Sequence, residues 1–161
     1  MMGGITVTDG EVQRFSELPW VYDDGGRQEA GFKGTAGDCV ARAVAIAAGR
    51  PYSEVYQALA AGNARERGKG SSGRRTAREG IHTDRVWFRR YMEERGFHWV
   101  PTMGIGTGCR VHLRAGDLPA GRLVCFLSKH VVAVVDGVVH DLYDPSRGGT
   151  RCVYGYYVLQ G

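Results

Sequence analysis

The run Val40-Ala41-Arg42-Ala43-Val44-Ala45-Ile46-Ala47-Ala48, led by Gly37-Asp38-Cys39 and stopped by Gly49, most constrains how this chain can fold. It is apolar on nearly every side, so as a helix it must be covered over most of its surface. Asp38 suits the N-cap, because a carboxylate can accept from the orphan N–H groups of the first turn. Gly37 allows a sharp turn into the helix and Gly49 a left-handed exit. Cys39 then falls in the first turn, where the positive end of the helix dipole favours thiolate, the nucleophilic form. A nucleophile of this kind needs a base.

The chain has 161 residues, enough for one domain spanning 1–161 with a real core. A chain of this size buries roughly 70% of the surface its unfolded form exposes. Nothing in it is long and apolar enough to span a membrane, and its first residues lack the basic and apolar regions of a signal peptide. Cys39, Cys109, Cys125 and Cys152 lie far apart. They read as reduced thiols of a cytoplasmic protein, and without close pairs they do not suggest a metal site. No cofactor is expected.

The net charge of +4 is local. Between Gly62 and Gly80 lie six basic residues (Arg65, Arg67, Lys69, Arg74, Arg75, Arg78) and two acidic ones (Glu66, Glu79), which together account for it. Residues 62–80 read as a flexible basic loop that buries too little to order itself. It holds no aromatic, so it offers no stacking platform; nucleic acid bound by Arg65 to Arg78 would be held through its backbone.

Residues 5–8 could form an edge strand, and Asp23-Asp24-Gly25-Gly26 a turn. After the cysteine helix, Pro51-Tyr52-Ser53 opens a second helix, capped by Ser53, with Val55, Tyr56 and Leu59 inward and Gly62 past its end. A third runs over 83–95, capped by Thr83, stopped by Gly96, and facing inward with Val86, Trp87 and Tyr91. Strand-like runs follow at 97–100, 109–113, 122–128, 131–135, 138–143 and 152–158. Trp87, Trp99, Tyr154, Tyr156 and Tyr157 read as core. Helices first and a mostly antiparallel sheet second predict an α+β domain with the helices packed on the sheet. Gly104-Ile105-Gly106-Thr107-Gly108 lacks the spacing of a dinucleotide fingerprint and reads as a loop.

Of the five histidines, His130 is the best placed base, since it opens the strand at 131–135 and can face a cleft while the strand stays in the core. The pair His112 and Asp117 is a rival, set in the turn Gly116-Asp117-Leu118-Pro119. Asp136-Gly137 between two valine runs is a hairpin turn that returns the chain towards Asp141 and Asp144. If the turn holds two residues, Val135 faces Val138 and Asp141 shares the face of His130. If it holds three, Asp144 lies directly opposite His130.

A cysteine leading a helix, a later histidine opening a strand, and an acid on the next strand resemble the papain-like cysteine peptidase superfamily in order and spacing. The stretch from His130 to Asp144-Pro145 looks most like bacterial peptidases that trim bacteriocin leaders. Gly-Asp-Cys-Val and His-Val-Val-Ala-Val resemble runs in uncharacterised papain-like proteins of bacteria and their phages. The resemblance implies a papain-like fold and a thiol hydrolase cleaving a peptide or isopeptide bond. It implies Cys39 as nucleophile, His130 as proton carrier, and Asp144 as the orienting acid, with Asp141 the runner-up. The Cys39 N–H would form half of an oxyanion hole. Where such enzymes carry an upstream Gln this chain has Lys33, and Thr35, Lys33 or Gln28 would supply the second donor. Two other functions use the same residues or fold: an acyltransferase of transglutaminase type, and a non-catalytic module that binds through the basic loop.

Overall fold

The structure is a computed structural model that describes residues 17–32, 38–65 and 81–160. The expected strand at 5–8, Lys33, Thr35 and most of the basic loop lie outside the described residues. In chain order the elements are β1 (Trp20–Tyr22), α1 (Cys39–Ala48), α2 (Tyr52–Arg65), α3 (Val86–Glu94), β2 (Phe97–Pro101), β3 (Arg122–Leu127), β4 (His130–Val135), β5 (Val138–Asp141) and β6 (Gly155–Leu159). The protein is α+β: among the described residues, three helices accompany one six-stranded mixed sheet of order β1-β5-β4-β3-β6-β2. No helix among them is long and apolar enough to cross a membrane.

The middle of the sheet buries both of its faces, which explains the unbroken apolar run of β4. Val131 and Ala133 join a core with α1, α2 and α3, whereas Val132 and Val134 join a second core with Leu113, Leu123, Val139 and Val153. This is the period-two alternation of a strand, carried into two separate cores. α1 lies across β4 and is buried along most of its length. It ends as expected at Gly49, with φ of 67°, where the Arg50 N–H reaches back to the Ala45 carbonyl at 3.0 Å. That is the six-to-one bond of a left-handed helix stop.

Several boundaries differ from the sequence reading. α2 does not stop at Gly62 but continues to Arg65, so the first residues of the expected loop are helical. Gly62 is there for contact: a Cβ on it would stand 2.3 Å from the Trp87 ring. α3 begins at Val86, because the chain from His82 to Arg85 first makes a turn closed by the Arg85 N–H on the His82 carbonyl. Its inward residues are Phe88, Tyr91 and Met92, the i, i+3, i+4 set, which leaves Val86 71% exposed and Trp87 only half-buried. Of the residues read as core, Tyr157 is buried, Trp99 and Tyr156 are half-buried, and Tyr154 is exposed.

Residues 109–113 do not form a strand of the sheet. They make one antiparallel bridge, His112 with Cys152, before the chain turns away at 114–116. Cys109 and Cys152 are disulfide-bonded, which corrects the reading of four reduced thiols; Cys39 and Cys125 are free. β1 was not expected. It runs parallel to β5, and the Asp23 N–H just past its end donates to the Asp141 carbonyl at 3.0 Å.

Asp136 and Gly137 both take positive φ, 48° and 79°. A two-residue type I′ turn requires this of both positions. Val135 therefore faces Val138, and Ala133 faces His140. The three-residue register that would set Asp144 opposite His130 does not form.

Candidate active site

Three elements converge on Cys39. α1 places it at the first helical position, half-buried, with Asp38 behind it. β4 begins at His130, directly after Lys129 turns the chain with φ of 58°. β5 ends at Asp141, which the register puts on the face of His130, one step along the strand. The link from β5 to β6 then crosses the same end of the sheet. It is tied to the β3–β4 turn by Arg151, whose Nη2 donates to the Ser128 carbonyl at 2.5 Å.

His130 is 9% exposed, and its Nε2 lies 2.6 Å from Asp141 Oδ2. That bond occupies Nε2, and Cys39 is the other side chain that acts on the ring. Burial pushes the imidazole pKa down, but hydrogen bonds from Asp141 and Cys39, reinforced by their charges, outweigh it and hold the pKa at about 9. At neutral pH the ring is therefore largely imidazolium. The Tyr143 ring packs over it, with centroids 5.4 Å apart.

Asp141 is 3% exposed and fully engaged. Its Oδ1 accepts the Leu142 N–H at 2.7 Å and stands 3.8 Å from Arg42 Nη2. Asp144 makes none of these contacts. It is exposed, and its Oδ1 accepts the Ser146 N–H at 3.0 Å within its own turn. The residue that orients His130 is thus Asp141, which corrects the preference for Asp144. The cause is the two-residue turn.

Asp38 does not cap α1 through its side chain. Its carboxylate is fully buried and points at Arg42 one turn along the helix, at Arg27 Nε at 2.8 Å, and at Tyr52 Oη at 2.5 Å. Burial, then the hydrogen bond and charge of Asp38, push the Tyr52 pKa up, so the phenol stays protonated and donates. A carboxylate beside a thiol would oppose thiolate formation. Here two guanidinium groups and a phenol absorb its charge. Arg27 reaches it from the turn after β1, where Asp23 and Asp24 accept the N–H groups of Gly25 and Gly26 at 2.8 and 2.9 Å.

Arg42 links the two carboxylates, Asp38 and Asp141, so the helix and the sheet share one buried network. Sequence reasoning missed Arg42, Arg27 and Tyr52. The available signal was Arg42 itself, the one charged residue within α1 and three positions after Cys39.

The first-turn N–H groups of α1, that of Cys39 included, have no partner within the helix and can receive an oxyanion. Gln28 sits on the exposed turn after β1, its N–H held by Asp24 Oδ2 at 2.9 Å. Away from Cys39, an open cleft of about 360 Å³ lies between α3 and the sheet, among Arg85, Val86, Arg89, Trp99, Phe126 and Tyr157. No group of three or more metal-ligating side chains occurs among the described residues. No protein family, curated protein or solved structure matches the chain.

Proposed function

We propose that the protein is a papain-like cysteine hydrolase acting on a peptide or isopeptide bond through an acyl-enzyme at Cys39. The observation that carries this reading is His130 held by Asp141 through Nε2 at 2.6 Å, with Cys39 as the second side chain that acts on the ring. An imidazolium beside a thiol favours its nucleophilic form. Cys39 Sγ attacks the acyl carbon, and the developing oxyanion meets the N–H groups at the start of α1. His130 gives its proton to the leaving amine, then takes one from the water that hydrolyses the thioester. Asp141 keeps the ring in register throughout.

An acyltransferase would use the same steps and replace water with an amine. Incubation with a mixture of unrelated peptides, read by mass spectrometry, tests the reading. Cleavage that disappears in Cys39→Ala supports hydrolysis, and a product that gains an added amine at the expense of cleavage supports transfer. Turnover that survives Cys39→Ala would sink both.

A further inference from the structure

A second cysteine and histidine cluster lies apart from Cys39. Cys109 is exposed and Cys152 half-buried, and their disulfide joins the β2–β3 connection to the approach to β6 across 43 positions. Buried disulfides are inert because no thiolate can reach them; neither sulfur-bearing residue here is buried, and half-buried Cys152 leaves its sulfur open to attack opposite Cys109. His112 Nε2 stands 3.5 Å from Cys109 Sγ. On the other side of the ring, Nδ1 stands 3.4 Å from Asp117 Oδ2, an ion-pair contact rather than an aligned hydrogen bond. The same Asp117 oxygen accepts the His112 backbone N–H at 2.9 Å and lies 3.2 Å from Arg114 Nε. Two groups thus hold the carboxylate where it faces the ring. Burial works against its charge, but the His112 N–H and Arg114 outweigh it and lower its pKa. When protonated on both nitrogens, the ring presents one N–H to Asp117 and the other to the Cys109 sulfur.

We propose that Cys109–Cys152 is an exchange-active disulfide, reduced by a low-molecular-weight thiol, in which His112 receives the charge that develops on Cys109. A thiolate of the glutathione class attacks Cys152 Sγ. The Cys109–Cys152 bond breaks, and its electron pair departs on Cys109 Sγ beside the His112 Nε2–H, which stabilises or protonates it. The better stabilised thiolate is the better leaving group, so Cys109 leaves and Cys152 carries the mixed disulfide. A second glutathione thiolate then attacks the glutathione sulfur and releases Cys152. Two glutathione thiols are oxidised to one glutathione disulfide, and Cys109 and Cys152 are reduced. Reduction removes the covalent tie between the β2–β3 connection and the approach to β6, while the Leu113 N–H on the Arg151 carbonyl and the Val153 N–H on the Val111 carbonyl, each at 2.8 Å, still join them. Neither Cys39 nor His130 takes part, so the proposal stands independently of the hydrolase reading.

The test is reduced glutathione added to the oxidised full chain near neutral pH, with acid quenching at partial reduction and peptide mapping. The expected first adduct is glutathione on Cys152, with Cys109 free. His112→Ala should slow reduction by about tenfold and remove the imidazole inflection from its pH profile, leaving only that of the attacking thiol. Asp117→Asn, which keeps the ring, should slow it less. First adduct on Cys109, or equal rates with and without the imidazole, overturns the proposal. So does failure of the two cysteines to pair under oxidised glutathione. If His112→Ala does not fold, the position of the first adduct in the unaltered chain still decides.

Discussion

Removing the Asp141 carboxylate should uncouple His130 from Cys39 with little loss of fold. Asp141→Asn keeps the volume and can still accept the Leu142 N–H now bound at 2.7 Å. It cannot supply the charge that, ahead of Cys39, offsets the burial of His130. The imidazole stands at about 9 against an ordinary 6.5. At about 1.4 kcal/mol per tenfold in proton affinity, that is on the order of 3 kcal/mol favouring imidazolium, with Asp141 the larger contributor. Losing most of it should return the ring to near or below 6.5, so that at pH 7.5 it is mostly neutral. Alkylation of Cys39 by limiting iodoacetamide should then slow by about tenfold or more. NMR of the His130 ring would give its titration midpoint directly, and peptide mass spectrometry the alkylation rate. Asp144→Ala should change neither. If Asp144→Ala slows alkylation more than Asp141→Asn does, the orienting role given to Asp141 is wrong.

Three further outcomes are expected. His130 binds its proton more tightly folded than unfolded, so it adds stability that is full below about 6.5 and fades as pH rises through about 9; urea unfolding across that window should show the decline, and His130→Gln should flatten it. Gly62→Ala forces a methyl into the Trp87 ring and should cost about 1–3 kcal/mol, recovered in part by a smaller residue at 87. Arg42→Met removes one of the partners of buried Asp38 and should cost about 3–5 kcal/mol, while the double change with Asp38→Asn should cost less than the two singles combined, read by denaturant unfolding.

Cys39 and His130 were legible in the sequence because each stands at a boundary, one at the start of an alanine-rich helix and the other at the mouth of a valine strand. Asp141 was visible only as one of two registers, since one residue more or less in a turn swaps the faces of the whole strand. The positive φ at both Asp136 and Gly137 decides it, and Asp-Gly alone points that way. The network behind Cys39 was hidden for another reason. Arg27, Arg42, Tyr52 and Asp141 come from a turn, two helices and a strand, and no local pattern records that their side chains meet. Asp38 illustrates this: its position is that of a helix cap, yet two arginines and a tyrosine claim its carboxylate. β1 escaped because its three residues are exposed and its partner strand lies more than a hundred positions away. The Cys109–Cys152 pair escaped because residues 109–113, read as a strand, are a connection that meets the approach to β6 at one bridge.

The most direct test of the central claim is limiting iodoacetamide on the oxidised protein at neutral pH, with peptide mapping of the two free thiols. Cys125 is fully buried, and burial alone pushes its pKa up. Cys39 should therefore be modified first, and His130→Ala should slow that modification while the far-ultraviolet spectrum stays unchanged. Preferential labelling of Cys125 in the folded protein, or a Cys39 rate indifferent to His130→Ala, would contradict the account.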